Sequence, residues 1–376
     1  MKIFQIHNYY KYYGGEDTVV NEEANLLKSN KIEVFQIFRE NKLEISNFAQ
    51  TLNTLKNLRY SKKSIEILKK YLSRYGRPDL VHIHNVFPLW TYSILEFFKN
   101  ENIPMVLTLH NYRIIWEKLS IFDKDFRKFG TYKNSIIQSY LISKIFNLRK
   151  DLLKNVDFFV THTNFTKEIF VRYGLESSKI KIIPNFLPNL NKKIKTIEQK
   201  KNVLFASRIS KDKGILTLIK AWRLLDNDID LDVCGEGPLL DKLNKLNDKN
   251  IKFLGNLPKN EIRDKLHNSR FLIFPSEWYE SFPMTILEAF REGTLVLASN
   301  IGSIKSIIKD KYNGILFEPG NTSDLIDKVK WILNNQRECD QIALNANNEF
   351  NHKYSSEVNY KQLIDVYEKA IKDNEN

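Results

Sequence analysis

The 376-residue chain predicts an α/β fold of two doubly wound, Rossmann-like domains. Three observations carry this reading. Short apolar, strand-like runs alternate with longer amphipathic stretches, as in βαβ units around a parallel sheet. The alternation breaks once, in a polar stretch with prolines near the middle of the chain, and then begins again. The length also exceeds what one hydrophobic core usually serves.

The first series of strand candidates is "KIFQIHN" (2–8), "EVFQIF" (33–38), "LVHIHN" (80–85), "MVLTLH" (105–110), "DFFVTHT" (157–163) and "IKIIPN" (180–185). Between them "DTVVNEEANLLKS" and "YSILEFFKN" read as helices. Residues 1–186 are assigned to the first domain. Residues 187–200 carry polar residues and no strand pattern, and read as a linker. The second series follows in residues 201–357: "NVLFASR" (202–208), "DLDVCG" (230–235), "IKFLG" (251–255), "RFLIFPS" (270–276) and "TLVLAS" (294–299). The tail is helical, and a last helix over about 358–376 is expected to pack back on the first domain.

Composition limits the functional classes. A hydrophobic content of 42% with 12% aromatics suits a packed soluble globule. Nothing approaches the roughly 18 consecutive apolar residues of a membrane-spanning helix. The N-terminal apolar stretch is too short for a signal peptide. Two cysteines, Cys234 and Cys339, give no disulfide framework and fit a reducing cytoplasm.

The net charge of +13 points to anionic partners. Its excess is concentrated in residues 41–154, which hold 20 Lys and Arg against 9 Asp and Glu. Within "LKNLRYSKKSIEILKKYLSRYGRP" (55–78), seven cations fall between Lys56 and Arg74 against Glu66 alone. Leu55, Leu58, Ile65, Leu68 and Leu72 recur there at near-helical spacing. This is either an amphipathic helix at an anionic membrane surface or a solvated helix packed on its own domain. Residues 118–150 add cations beside aromatics. No nucleic-acid-binding module is evident, so nucleic acid is not an expected partner.

The most informative stretch is "SEWYESFPMTILEAFREG" (276–293). A strand ends near Ser276, a loop carries Glu280 and Ser281, and Pro283 suits the first helical turn. Gly293 then marks the helix stop. Backbone N–H groups of Phe282, Met284 and Thr285 stand at the helix N-terminus, where phosphate or sugar oxygens are favoured. Glu280 lies at that mouth. Glu288 lies within the apolar run and leans back toward it. A buried carboxylate there needs hydrogen-bond donors, and a ribose diol offers two. From spacing alone, a partly exposed glutamate on an ordinary amphipathic helix explains Glu288 equally well.

"ESFPMTILE" resembles the E-x7-E motif of the retaining, GT-B-fold glycosyltransferases of family 4. Further stretches are similar to that family in the same order: "SRISKDKG" (207–214), "DVCGEGPL" (232–239), "FLGNLPKNEI" (253–262) and "ASNIGSIKSII" (298–308). The resemblance covers roughly residues 1–320. It implies a GT-B architecture, two doubly wound domains facing across a cleft. It also implies that Glu280 touches the donor sugar, that Glu288 holds the nucleotide ribose, and that Arg208 and Lys213 neutralise the donor diphosphate. Leu254, Gly255 and Asn256 are placed near the base. Gly14 and Gly15, in "YYGGEDTVV", would cover the diphosphate from the opposite domain. His110, ending "LTLHNYR", would lie beside the donor sugar and the reaction centre. His84 and Asn85 would face the acceptor, whereas His82 reads as structural. Two departures stand out. Pro283 replaces a family glycine and removes a backbone donor, and Ser303 and Lys305 replace glycine and glutamate in a turn the family writes GG-x-x-E.

The activity this implies is retaining transfer of a hexose-type sugar from a UDP- or GDP-sugar to a hydroxyl of a saccharide or lipid-linked acceptor. The setting would be assembly of cell-surface polysaccharide, lipopolysaccharide or glycolipid, in the cytoplasm or at the inner face of the membrane. No cofactor is expected. No metal is expected either, because the Asp-x-Asp pairs at 123/125, 226/228, 228/230 and 230/232 do not follow a strand into a site loop, and no Cys/His cluster has zinc-ligand spacing. A sugar-nucleotide epimerase, or a non-catalytic nucleotide-sugar-binding protein on the same fold, is the alternative. Acceptor-dependent release of free nucleoside diphosphate separates a transferase from both.

Overall fold

The computed structural model describes residues 1–9, 14–40, 61–86, 89–112, 151–190, 194–225, 229–246 and 248–375. Its first half builds a six-stranded sheet from β1 (Lys2–Tyr9), β2 (Glu33–Glu40), β3 (Leu80–Ile83), β4 (Met105–Thr108), β5 (Phe158–Thr161) and β6 (Ile180–Ile182), in the order β2-β1-β3-β4-β5-β6. Every pairing in it is parallel. Helices α1 (Gly15–Ser29), α2 (Lys62–Tyr75), α3 (Ser93–Asn100) and α4 (Asn164–Arg172) belong to the same half. Parallel strands covered on both faces must be apolar along their length, which is why they read as runs in the sequence. β3, β4 and β5 are buried at every position.

The second half repeats the plan. Strands β7 (Val203–Ala206), β8 (Leu231–Cys234), β9 (Ile251–Gly255), β10 (Phe271–Phe274), β11 (Leu295–Ser299) and β12 (Ile315–Phe317) form a sheet of order β12-β11-β10-β7-β8-β9, again parallel. Helices α5 (Ile215–Leu224), α6 (Leu240–Asn244), α7 (Lys259–Asn268), α8 (Met284–Arg291), α9 (Ile304–Ile307), α10 (Thr322–Asn334) and α11 (Gln336–Lys353) accompany it. The last helix, α12 (Ser356–Glu375), returns to the first sheet. Its Leu363, Val366, Tyr367 and Ala370 share a core with Ile3, Ala24, Val106 and Phe158.

Strand order reverses between β1 and β3 in one sheet and between β7 and β10 in the other. Open α/β sheets bind ligands at such switch points, beyond the strand carboxyl ends. The glycine pair, His84, Lys213 and Glu280 follow β1, β3, β7 and β10 respectively, so four candidate loops lie at these two points.

Helix α2 decides between the two readings of the basic stretch at the level of its apolar face. Ile65 and Leu68 are buried in the core of the first domain, and Ile67, Tyr71, Leu72 and Tyr75 pack against it. Lys62, Lys63, Lys69, Lys70 and Arg74 are exposed. The apolar face is therefore used internally, and only the cations remain for an outside partner. Leu55, Leu58 and residues 118–150 lie outside the described residues. No described helix is long and apolar enough to cross a membrane. Of the Asp-x-Asp residues, Asp230 pairs with Lys252, while Asp232 pairs with Lys265 at 2.8 Å. Asp123, Asp125, Asp226 and Asp228 fall outside the described residues.

Candidate active site

The site grows from β10. Ser276, just past its end, is buried, and its hydroxyl donates to Glu280 Oε1 at 2.7 Å while accepting from the Trp278 N–H at 3.3 Å. These two bonds fold the loop so that Glu280 turns toward the end of β7. There Lys213 Nζ meets Glu280 Oε1 at 2.6 Å. Lys213 ends a short 3₁₀ turn and Gly214 follows with φ +69°. A Cβ on Gly214 would fall 1.8 Å from the Pro275 carbonyl oxygen. Only glycine permits both that backbone conformation and that approach. The Glu277 N–H donates to the Asp212 carbonyl at 2.9 Å, which completes the lock between the two loops.

Pro283 is the N-cap of α8, with φ −80° and ψ 97°, rather than a residue of its first turn. Met284 and Thr285 thus begin the helix and present its leading N–H groups. The Phe282 ring is buried, 5.8 Å from that of His162 and 6.1 Å from that of Tyr354. Glu288 is half-buried one turn further on. Burial pushes its carboxyl up, against the opposing influence of Arg291 and Lys259.

Contacts from the first domain reach the same loop. The Tyr112 hydroxyl donates to the Glu280 carbonyl at 3.3 Å, and the Ser281 hydroxyl donates to the His110 carbonyl. The loop that carries Glu280 is therefore tied to the strand end that carries His110, through the neighbours Tyr112 and Ser281, from opposite halves of the chain. Gly15 faces Met284, whose Cγ would lie 3.7 Å from a Cβ added there. Gly14 caps α1 and donates its N–H to Asp17 at 2.8 Å, so that amide serves the helix start. Lys259 Nζ donates to Thr18 Oγ1 at 3.0 Å. Further along, Thr163 and Ser303 hydroxyls meet at 3.0 Å, and a Cβ on Gly302 (φ +54°) would fall 2.9 Å from the Tyr279 ring. The turn that departs from the family pattern is thus a contact between the domains.

Arg208 is exposed on the loop after β7, whose Ile209 N–H is held by the Glu236 carbonyl at 2.8 Å. Leu254 packs against the apolar cluster that also receives Met284. Beside it, Gly255 has open space around its Cβ position and Asn256 is exposed.

His110 is buried, and its Nε2 lies 2.9 Å from His84 Nδ1, the two rings stacked at 5.1 Å. His84 in turn lies 3.2 Å from Glu23 Oε1 and 3.1 Å from the Gln5 amide. With both ring nitrogens engaged and the ring buried, His84 contacts His110, Glu23 and Gln5 rather than opening to solvent on the side where the sequence analysis placed the acceptor. Asn85 donates to the Asn8 carbonyl at 3.1 Å. His82 is structural as read, between Thr108, Tyr367 and Glu23 at 2.7, 2.7 and 2.8 Å. Burial lowers His84 to about 3 and holds His110 well below the ordinary imidazole range. Burial alone would raise Glu23, but the neighbouring imidazoles of His82 and His84 outweigh it and hold the carboxylate low. Glu23, His82 and His84 bring one ligand-type atom each within 4.8 Å of one another, a grouping that no sequence spacing reveals.

The sequence assigns no site role to Ser276, Ser281, Tyr112 or Glu23. Small polar loop residues and one glutamate within a helix carry no distinguishing pattern.

Two doubly wound sheets joined at facing switch points define the GT-B class of glycosyltransferase folds. The family description "Glycosyltransferase Family 4" matches residues 13–188, and "Glycosyl transferases group 1" matches residues 188–349. An uncharacterized glycosyltransferase of Methanocaldococcus jannaschii is 27% identical over 98% of each chain. The lipopolysaccharide 1,2-N-acetylglucosaminetransferase of Salmonella typhimurium is 29% identical over 50% of this chain and 56% of its own. Among solved structures, Anabaena Alr3699/HepE in complex with UDP superposes with a TM-score of 0.72 at 16% identity, covering 98% of this chain and all (100%) of that one. The chain belongs to the group 1 glycosyltransferases and is a transferase enzyme.

Proposed function

We propose that the protein is a retaining, metal-independent glycosyltransferase that moves a hexose-type sugar from a UDP- or GDP-sugar to an acceptor hydroxyl. The acceptor is a saccharide or lipid-linked saccharide, and the setting is assembly of polysaccharide, lipopolysaccharide or glycolipid at the cytoplasmic face. One observation carries the reading: Glu280 is bound to Lys213 at 2.6 Å while its loop is tied to His110 across the cleft. The Salmonella relative's acceptor class and the UDP complex of the Anabaena protein support the setting and the donor.

Departure of the nucleoside diphosphate leaves positive charge on the anomeric carbon and negative charge on phosphate. Lys213, Arg208 and the N–H groups of Met284 and Thr285 supply fixed positive charge for the leaving group, a contribution of several kcal/mol in comparable sites, on the order of 3. Glu280 meets the sugar, and Glu288 the ribose. The first stands in a loop and the second inside α8, so they serve as separate contacts rather than as a carboxylate pair about 5 Å apart. Retention then follows from front-face attack, with the leaving phosphate accepting the acceptor's proton. Closure of the domains excludes water.

The exposed cations of α2 give this enzyme an electrostatic contact for an anionic membrane, without insertion of the helix. Co-sedimentation with anionic vesicles that disappears at high salt is the expected behaviour. A panel of UDP- and GDP-sugars, read by nucleotide release with and without acceptor, tests the activity. Acceptor-independent epimerisation, or binding with no turnover, would exclude it.

A further inference from the structure

We propose that Glu23, acting through His84, fixes His110 as the Nε2-protonated tautomer, so that His110 Nδ1 serves as a hydrogen-bond acceptor for a hydroxyl of the donor sugar. The sugar contact rests on the assignment of His110 given above; the tautomer does not.

The chain of donors and acceptors favours one solution. The Gln5 side-chain nitrogen lies 3.1 Å from His84 Nε2, but its two hydrogens have oxygen acceptors in the Val20 carbonyl at 3.3 Å and Glu23 Oε1 at 3.1 Å, so neither is needed by His84. An ionised carboxylate only accepts. His84 Nε2, 3.2 Å from Glu23 Oε1, therefore carries its hydrogen toward Glu23. A neutral imidazole has one N–H, so His84 Nδ1 is a lone pair. His110 Nε2 lies 2.9 Å from that lone pair and must donate to it. The same rule applied to a neutral His110 leaves Nδ1 as the acceptor. Both rings are neutral at physiological pH because both are buried, with His84 lowered to about 3.

Groups from every surrounding element converge on the anchor. Gln5 of β1 donates to Glu23 Oε1 at 3.1 Å and is itself held by Gln36 of β2 at 3.1 Å. His82 of β3 lies 2.8 Å from Glu23, with Tyr367 of α12 at 2.7 Å behind it. Glu23 of α1 is thus held by Gln5 of β1, His82 of β3 and His84 just beyond it, with Gln36 of β2 and Tyr367 of α12 backing two of these partners. Glu23 and His84 are positioning residues. They act on the sugar only through His110.

Long-range proton–nitrogen spectra of histidine side chains in the nitrogen-15-labelled full-length protein read the tautomer directly, with His110 assigned by the signals lost in His110→Asn. In the wild type, protonated Nε2 and pyridine-type Nδ1 are expected for His84 and His110 alike. Glu23→Gln is expected to mix the tautomers and lower kcat roughly tenfold, the worth of one hydrogen bond, while affinity for UDP alone stays unchanged. Glu23→Asp should restore part of both. A wild-type His110 protonated on Nδ1, a metal ion bound at Glu23, His82 and His84 in the purified protein, or a Glu23→Gln spectrum identical to wild type overturns the proposal. The wild-type spectrum decides the tautomer even if Glu23→Gln does not fold. Full activity in His110→Ala overturns the sugar contact alone.

Discussion

Lys213 Nζ lies 2.6 Å from Glu280 Oε1, which joins the loop after β7 to the loop after β10 at the start of α8. Both side chains are partly exposed, and a pair of that kind contributes only about 1 kcal/mol or less. Under the proposed function, a diphosphate, which carries more charge than one carboxylate, competes with Glu280 for the lysine, so that donor entry exchanges one partner of Lys213 for another and frees Glu280 for the sugar. The variant Lys213→Ala should fold normally and lose turnover by on the order of a hundredfold, as loss of a single charge-stabilising donor does elsewhere. Steady-state kinetics beside a circular dichroism melt would check both halves.

Glu288 sits inside α8 and, under the proposed function, meets the ribose rather than the sugar, so its loss should appear in binding and not in chemistry. Two hydrogen bonds from a ribose diol to a carboxylate are worth about 1.5–3 kcal/mol. Glu288→Ala is accordingly expected to raise the Kd for UDP or GDP by roughly ten- to a hundredfold with little change in kcat. Calorimetric titration of the free nucleotide measures this directly.

Gly214 is fixed by two constraints at once, φ +69° and the Pro275 carbonyl 1.8 Å from any added Cβ. Gly214→Ala should destabilise the second domain by about 2 kcal/mol or more and displace Lys213. A lowered melting temperature together with lost activity is the expected pair of results. An unchanged melt would show that the loops are not locked there.

Stability should fall on acidification, and the sign follows from the buried histidines. His162, lowered to about 4 by burial against the opposing Ile183 carbonyl, and His84, lowered to about 3, are neutral in the fold but gain protons in the unfolded chain below their ordinary 6.5. The unfolded state then binds more protons, and stability drops as pH falls from 6.5 toward 4. Glu23, held low, adds to the loss in the same direction once the pH passes below the ordinary value of 4.5. Urea titrations at a series of pH values in that window test the trend. A midpoint that stays level throughout would contradict it.

Much of this fold is legible because parallel strands are covered on both faces and must be written as apolar runs. β10 is one such run, "FLIF", and the loop and helix after it follow from Ser276, Pro283 and Gly293. β12 is missing from the strand candidates although its three residues match the length of β6, so its brevity alone does not explain the omission. Pro283 is the N-cap rather than a first-turn residue, a distinction the sequence does not make because proline suits both positions. The histidine chain is the clearest case of what a sequence conceals. Tyr367 lies 285 positions from His82, and Glu23 differs in no visible way in the sequence from the partly exposed Glu22 beside it. Their partnership exists only after β1, β3, α1 and α12 have packed. The burial of His84 is hidden for the same reason, because nothing in "VHIHN" shows that the second histidine is covered.

The most direct test of a sugar donor gripped between the two switch points is a thermal-shift screen of nucleotide sugars against the wild type and a Lys213→Ala, Glu288→Ala double variant. At least one UDP- or GDP-sugar, at about a hundred times its Kd, should raise the wild-type midpoint by roughly 5 °C and leave the double variant unmoved. No response to any nucleotide sugar, or an equal shift in both proteins, would contradict it.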